Sequence, residues 1–86
     1  MIRTLEDLAR RSLKKALSTL NYPIVDIRFE EPPTPELGDL ATTISFELAS
    51  KLKKNPVEIS KTIIGVVKLP PLFEKVEAKG PYINFF

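Results

Sequence analysis

Tyr82, Asn84 and Phe86 alternate with Ile83 and Phe85 at the carboxyl end of the sequence. Read as a strand, this alternation sends the first three side chains to one face and the other two to the opposite face. Ile83 and Phe85 suit a core. Tyr82 and Asn84 then stand together on the second face, an aromatic ring beside an amide, which is equipment for contact and hydrogen bonding and not for bond breaking. The residues alone leave two uses open for the pair. It is either a surface that meets a ligand, or part of a half-buried edge strand whose tyrosine covers a helix and whose asparagine satisfies backbone groups.

Other candidate chemistry is thin. The sequence has no histidine and no cysteine, which removes the usual general base, thiolate catalysis, disulfides and the common zinc sites. Glu30-Glu31 is the one acid pair close in sequence, and without a nucleophile or a second acid-base group it reads as a solvated loop entrance. Gly38-Asp39 resembles a helix-terminus anion site only until its own carboxylate is counted, which makes Asp39 a helix cap instead. Lys51, Lys53 and Lys54 fit two roles equally, as contacts to phosphates or as cations complementing a helix dipole.

The 86 residues suffice for one domain with a modest core, and 43% apolar and 28% charged residues are the composition of a soluble globular chain. No window approaches a membrane span and no signal peptide is visible, so a cytoplasmic location is expected. The net charge of +2 is small, but its distribution is uneven. Residues 1–20 and 51–68 are mainly basic, while residues 24–40 set Arg28 against Asp26, Glu30, Glu31, Glu36 and Asp39. That segregation fits either one phosphate-facing side or an ordinary solvated surface.

The elements that must position these residues follow from periodicity. Leu5, Leu8, Ala9, Leu13, Ala16, Leu17 and Leu20 form one helical stripe, with Thr4 as cap or Ile2 as an earlier start, and Asn21-Tyr22-Pro23 ends the helix. Residues 24–30 alternate as a strand with Val25, Ile27 and Phe29 inward. Residues 31–39, with three prolines and a glycine, make a loop. A second helix is expected from Asp39 as cap through Ala41, Ile44, Ser45, Leu48, Ala49 and Leu52 to Lys54. Asn55-Pro56-Val57-Glu58 restarts a third, 56–67, with Ile59, Ile63, Ile64 and Val67 to the core. Two short strands joined at Gly80-Pro81 close the chain. The predicted fold is α+β, with three main helices packed on one face of a small, mostly antiparallel sheet.

Three segments, PELGDLAT at 35–42, LASKLKKNPVEIS at 48–60 and KVEAKGPYINFF at 75–86, occur in an order and separation that resemble the N-terminal additional domain of arginyl-tRNA synthetase. The resemblance covers essentially the whole chain, though residues 1–34 match in layout more than in letters. It implies a domain ahead of a catalytic domain in cis, with tRNA(Arg) as partner at the D-loop. It also implies that Tyr82 and Asn84 occupy the positions of the base-contacting aromatic and amide, with Phe86, Lys51, Lys53 and Lys54 as further RNA-binding candidates. A base splayed from a loop offers a flat face and a polar edge, which such a pair can stack on and bond to. Here Gly80-Pro81 leads straight into the aromatic residue, where many members have Pro-Gly.

The ATP-binding signatures of class I synthetases are absent, so the resemblance implies no catalytic residue, metal or cofactor for this unit, and ATP only for a parent arginine–tRNA ligase. Residues 1–86 are expected to be a single monomeric domain excised from a longer chain, because an ending on Phe85-Phe86 leaves an aromatic strand end unprotected. The alternative is a free-standing interaction or regulatory module, using an exposed apolar patch around Phe46, Phe73 and Phe86.

Overall fold

The computed structural model describes residues 3–86. The first helix, α1, spans Arg3–Thr19. Thr4 therefore lies inside it and is not its cap, while the alternative start at Ile2 is outside the described residues. Asn21 ends the helix in the left-handed conformation at φ 57°, and the Tyr22 N–H returns to the Leu17 carbonyl at 2.9 Å, satisfying one of the orphan carbonyls of the last turn.

The chain then runs extended, with Val25 and Ile27 buried and Phe29 half-buried as expected. Only Phe29–Glu30 is a strand, β1, a shorter one than the predicted 24–30. Upstream of it the backbone is served from elsewhere: the Arg10 guanidinium donates to the Ile27 carbonyl at 3.3 Å and lies 5.4 Å from the Phe29 ring centroid.

Residues 31–39 hold a single 3-10 turn, Pro35–Leu37, and then comes the largest departure from expectation. Leu40–Thr42 is a strand, β2, and not the start of a helix capped by Asp39. All three of its residues are buried, so it has no wet face to show alternation, and a short apolar run of that kind looks the same in a helix and a strand. The Asp39 N–H donates to the Phe85 carbonyl at 2.8 Å, which makes this residue a strand entry. The second helix, α2, is Ile44–Leu52, with Thr43 at the cap position and Lys53 closing it in the left-handed region at φ 53°.

Asn55 caps the third helix, α3 (Pro56–Val66), as its sequence demands, its side-chain oxygen accepting from the Val57 N–H at 2.8 Å. Strands β3 (Val76–Lys79) and β4 (Tyr82–Phe85) form a hairpin. The complete sheet is antiparallel in the order β1-β2-β4-β3. Leu13 and Leu17 of α1, Ile44 and Leu48 of α2, Ile59 and Ile63 of α3, and Ile83 and Phe85 of β4 share one apolar cluster with Val25 and Ile27. Phe85 is its aromatic centre, with the Phe73 and Phe29 rings 5.4 and 6.1 Å away. No helix among the described residues is long and apolar enough to cross a membrane.

Candidate nucleic-acid interface

The β3–β4 register determines what the second sheet face presents. Gly80 takes φ 59° and Pro81 follows, so Lys79 and Tyr82 close a two-residue turn with glycine at its first central position. The tip is held from behind, where the buried Ser60 hydroxyl of α3 donates to the Gly80 carbonyl at 2.6 Å. From that turn the pairs run Lys79 with Tyr82 and Glu77 with Asn84, and the Phe86 N–H continues the ladder to the Lys75 carbonyl at 2.9 Å.

Because cross-strand partners share a face, Tyr82, Asn84 and Phe86 form one column and Lys79, Glu77 and Lys75 the column beside it. Glu77 sits between the two lysines, 3.5 Å from Lys79 and 3.7 Å from Lys75. Lys75 also reaches over the Phe86 ring, 4.5 Å from its centroid.

Within the column the residues differ in access. Tyr82 is 40% exposed and meets the ring of Phe46, from the first turn of α2, edge to face at 6.3 Å and 86°. Phe46 is itself 48% exposed, so the two rings make an open aromatic corner at the end of the sheet. Asn84, by contrast, is only 3% exposed. It lies on the face opposite Ile83 and Phe85, as the alternation requires, but the Pro35–Leu37 turn covers it. Its Nδ2 donates to the Leu37 carbonyl at 2.6 Å, and its Oδ1 is buried without a protein donor. Phe86 is half-buried.

Gly38 is what lets the covering segment lie so close. It has φ 96°, and a Cβ there would stand 2.5 Å from the Phe85 carbonyl oxygen. Leu37 and Asp39 on either side of it are then bonded to Asn84 and Phe85.

Lys51, Lys53 and Lys54 are all exposed, at the opposite end of α2 from Phe46. Five to eight positions separate Phe46 from these lysines, roughly 8 to 12 Å along the direction of α2, so they do not join the Tyr82 column. Lys54 instead approaches the Tyr22 ring at 5.9 Å.

The sequence does not single out Lys75 or Lys79, and it points to Phe46 only as part of an apolar patch and not as a partner of Tyr82. The two lysines were legible once Gly80-Pro81 was taken as a two-residue turn, since the pairing then follows by counting, whereas nothing local announces the Phe46 contact. The expected patch of Phe46, Phe73 and Phe86 does not exist, because Phe73 is buried against Phe85. Among the described residues no group of acidic side chains is arranged to hold a metal.

Comparison with known proteins agrees with this architecture. The family profile described as the arginyl tRNA synthetase N terminal domain matches residues 4–86. An arginine–tRNA ligase from Methanothermobacter thermautotrophicus is 52% identical over 87 residues, an alignment covering all of this chain and 16% of that protein. One from Methanosphaera stadtmanae is 58% identical over 76 residues, covering 87% of this chain and 14% of the relative. Among solved structures, the Thermus thermophilus arginyl-tRNA synthetase superposes with a TM-score of 0.78 at 29% identity, over 99% of this chain and 14% of that one. The chain thus spans about one-sixth of the first of these relatives. With sequence, fold and order of elements in agreement, the chain belongs to the family of arginyl-tRNA synthetase N-terminal domains.

Proposed function

We propose that this domain is the tRNA-contacting unit of an arginine–tRNA ligase and that it meets the D-loop of tRNA(Arg) with the second face of its sheet. The observation that carries the reading is the open corner of Tyr82 and Phe46, beside a column holding Lys79 and Lys75. A base swung out of a loop stacks on the Tyr82 ring, and the lysines draw the adjoining phosphates, which is the usual division between base contact and backbone positioning. Lys51, Lys53 and Lys54 extend the cationic surface along α2.

Asn84 takes the base edge. In the free domain Nδ2 bonds Leu37 and Oδ1 has no protein donor; once the amide is uncovered, Oδ1 accepts from an amino or imino group of the base and the released Nδ2 donates to an acceptor beside it. A base that presents a donor there satisfies this acceptor. Because the Pro35–Leu37 turn covers the amide, the base reaches it only as that turn moves aside. Arginine activation and its ATP requirement then lie with the rest of the ligase. The unit itself is a cytoplasmic, monomeric recognition module without cofactor.

The test compares wild type and Asn84→Ala, in the full-length ligase, against tRNA with the favoured D-loop base and tRNA with that base substituted. The substitution is expected to weaken binding of the first and leave the second nearly unchanged. Equal losses with both tRNAs would assign Asn84 to holding Leu37 alone.

A further inference from the structure

Leu72 combines two unfavourable features that nothing within the domain offsets. Its φ is 72°, in the left-handed region where a branched side chain is strained. It is also 75% exposed. The cause is local: the Phe73 N–H points back to the Pro70 carbonyl at 3.4 Å, with Pro71 second and Leu72 third in the turn. A turn with proline second and positive φ third is of the type II kind, and its third position ordinarily belongs to glycine or asparagine. Pro70 and Phe73 are buried and anchor the turn, which holds the Leu72 side chain out into water.

Leu72 has apolar company. Leu69 is 47% exposed, and it lines, with Val66 and Pro71, a groove of about 370 Å³ between α1 and the segment after α3. Arg11, Lys15 and Lys68 stand around the same groove, and none of them forms an ion pair among the described residues. An apolar patch ringed by unpaired cations fits an apolar surface that carries carboxylates. A phosphate backbone would use the cations and leave Leu69 and Leu72 wet.

The greater length of the matched relatives and the course of the chain beside this turn point to the occupant. The Phe86 carbonyl accepts from the Glu74 N–H at 2.6 Å and its N–H donates to the Lys75 carbonyl, so Phe86 lies alongside residues 74–75, two positions from Leu72. The matched relatives are far longer than this unit, which covers 16% of one of them. We infer that the Leu69–Leu72 turn and its cationic groove are the surface on which this domain docks against the part of the ligase that follows residue 86, through an apolar face bearing carboxylates. The inference rests on the proposal of a parent ligase and is separate from the D-loop contact, whose Tyr82, Asn84, Lys75 and Lys79 do not line this groove.

The experiment places the photoreactive amino acid p-benzoylphenylalanine at position 72 of the full-length ligase, with position 24, whose isoleucine is also exposed, as comparison. Irradiation is expected to give a cross-link from position 72 to peptides beyond residue 86 of the same polypeptide, at monomer mass, and none from position 24. Leu72→Gly, which keeps the turn and removes the side chain, is expected to raise hydrogen exchange on both partners while leaving tRNA affinity within twofold. A cross-link only to tRNA, only to a second copy or to nothing, or equal intrachain cross-linking from both positions, overturns the docking surface while the parent-ligase reading stands. If the native polypeptide proves to have no ligase portion beyond residue 86, both fall.

Discussion

A methyl group added at position 38 would meet the Phe85 carbonyl oxygen at 2.5 Å, on a backbone that already has φ 96°. That carbonyl cannot yield, since it is held by the Asp39 N–H. Gly38→Ala is therefore expected to cost about 2 to 4 kcal/mol in denaturant unfolding, from backbone strain together with overpacking. Tyr82 presents the contrasting case. Its ring is partly exposed and touches Phe46 at the edge of the fold, so Tyr82→Ala should change folding stability little. The same substitution should lose about 1 to 3 kcal/mol of tRNA binding, the range for a stacked base. Titration of tRNA into the full-length ligase, with thermal unfolding of the same samples, separates the two effects. Unfolding of the Tyr82 variant would make its ring a structural cover.

At the scale of elements, the segments with strong local signals formed as their residues dictate. Asn55-Pro56 starts α3 because a side-chain cap and a proline in the first turn need no help from the rest of the fold. Asn55→Ala is expected to cost about 1 kcal/mol, read as a lowered unfolding midpoint with an unchanged denaturant slope. Segments defined by their partners were less legible. Leu40–Thr42 is a strand because Phe85, Asn84 and Ile83 lie on one side of it and Phe29 and Glu30 on the other. No property of the three residues alone distinguishes that from a helical turn. The alternation in β4 correctly separated Ile83 and Phe85 from Tyr82 and Asn84. It did not show that the Pro35–Leu37 turn folds over Asn84, because that contact joins residues 47 positions apart. Covering loops of this kind leave no periodic trace.

Across the whole molecule, the small net charge of +2 conceals two differently prepared sets of cations. Lys75 and Lys79 on the sheet face share Glu77 between them. Lys51, Lys53 and Lys54 at the end of α2 have no carboxylate at ion-pair distance among the described residues. Phosphates bound by the second set displace counterions only. Phosphates bound by the first set must also compete with Glu77, which lies opposite Asn84 and would repel a backbone passing over the column. Lys54→Ala should therefore weaken tRNA with and without the favoured base alike, and lower the log–log salt slope by at most about 0.9, the value for one phosphate contact. Glu77→Gln should act in the opposite sense: it frees both sheet lysines, tightens binding at low salt and steepens the slope. Binding of the full-length ligase variants across a series of salt concentrations measures both. A Glu77→Gln slope equal to wild type would place the phosphates away from the β3 column and leave α2 as the cationic contact.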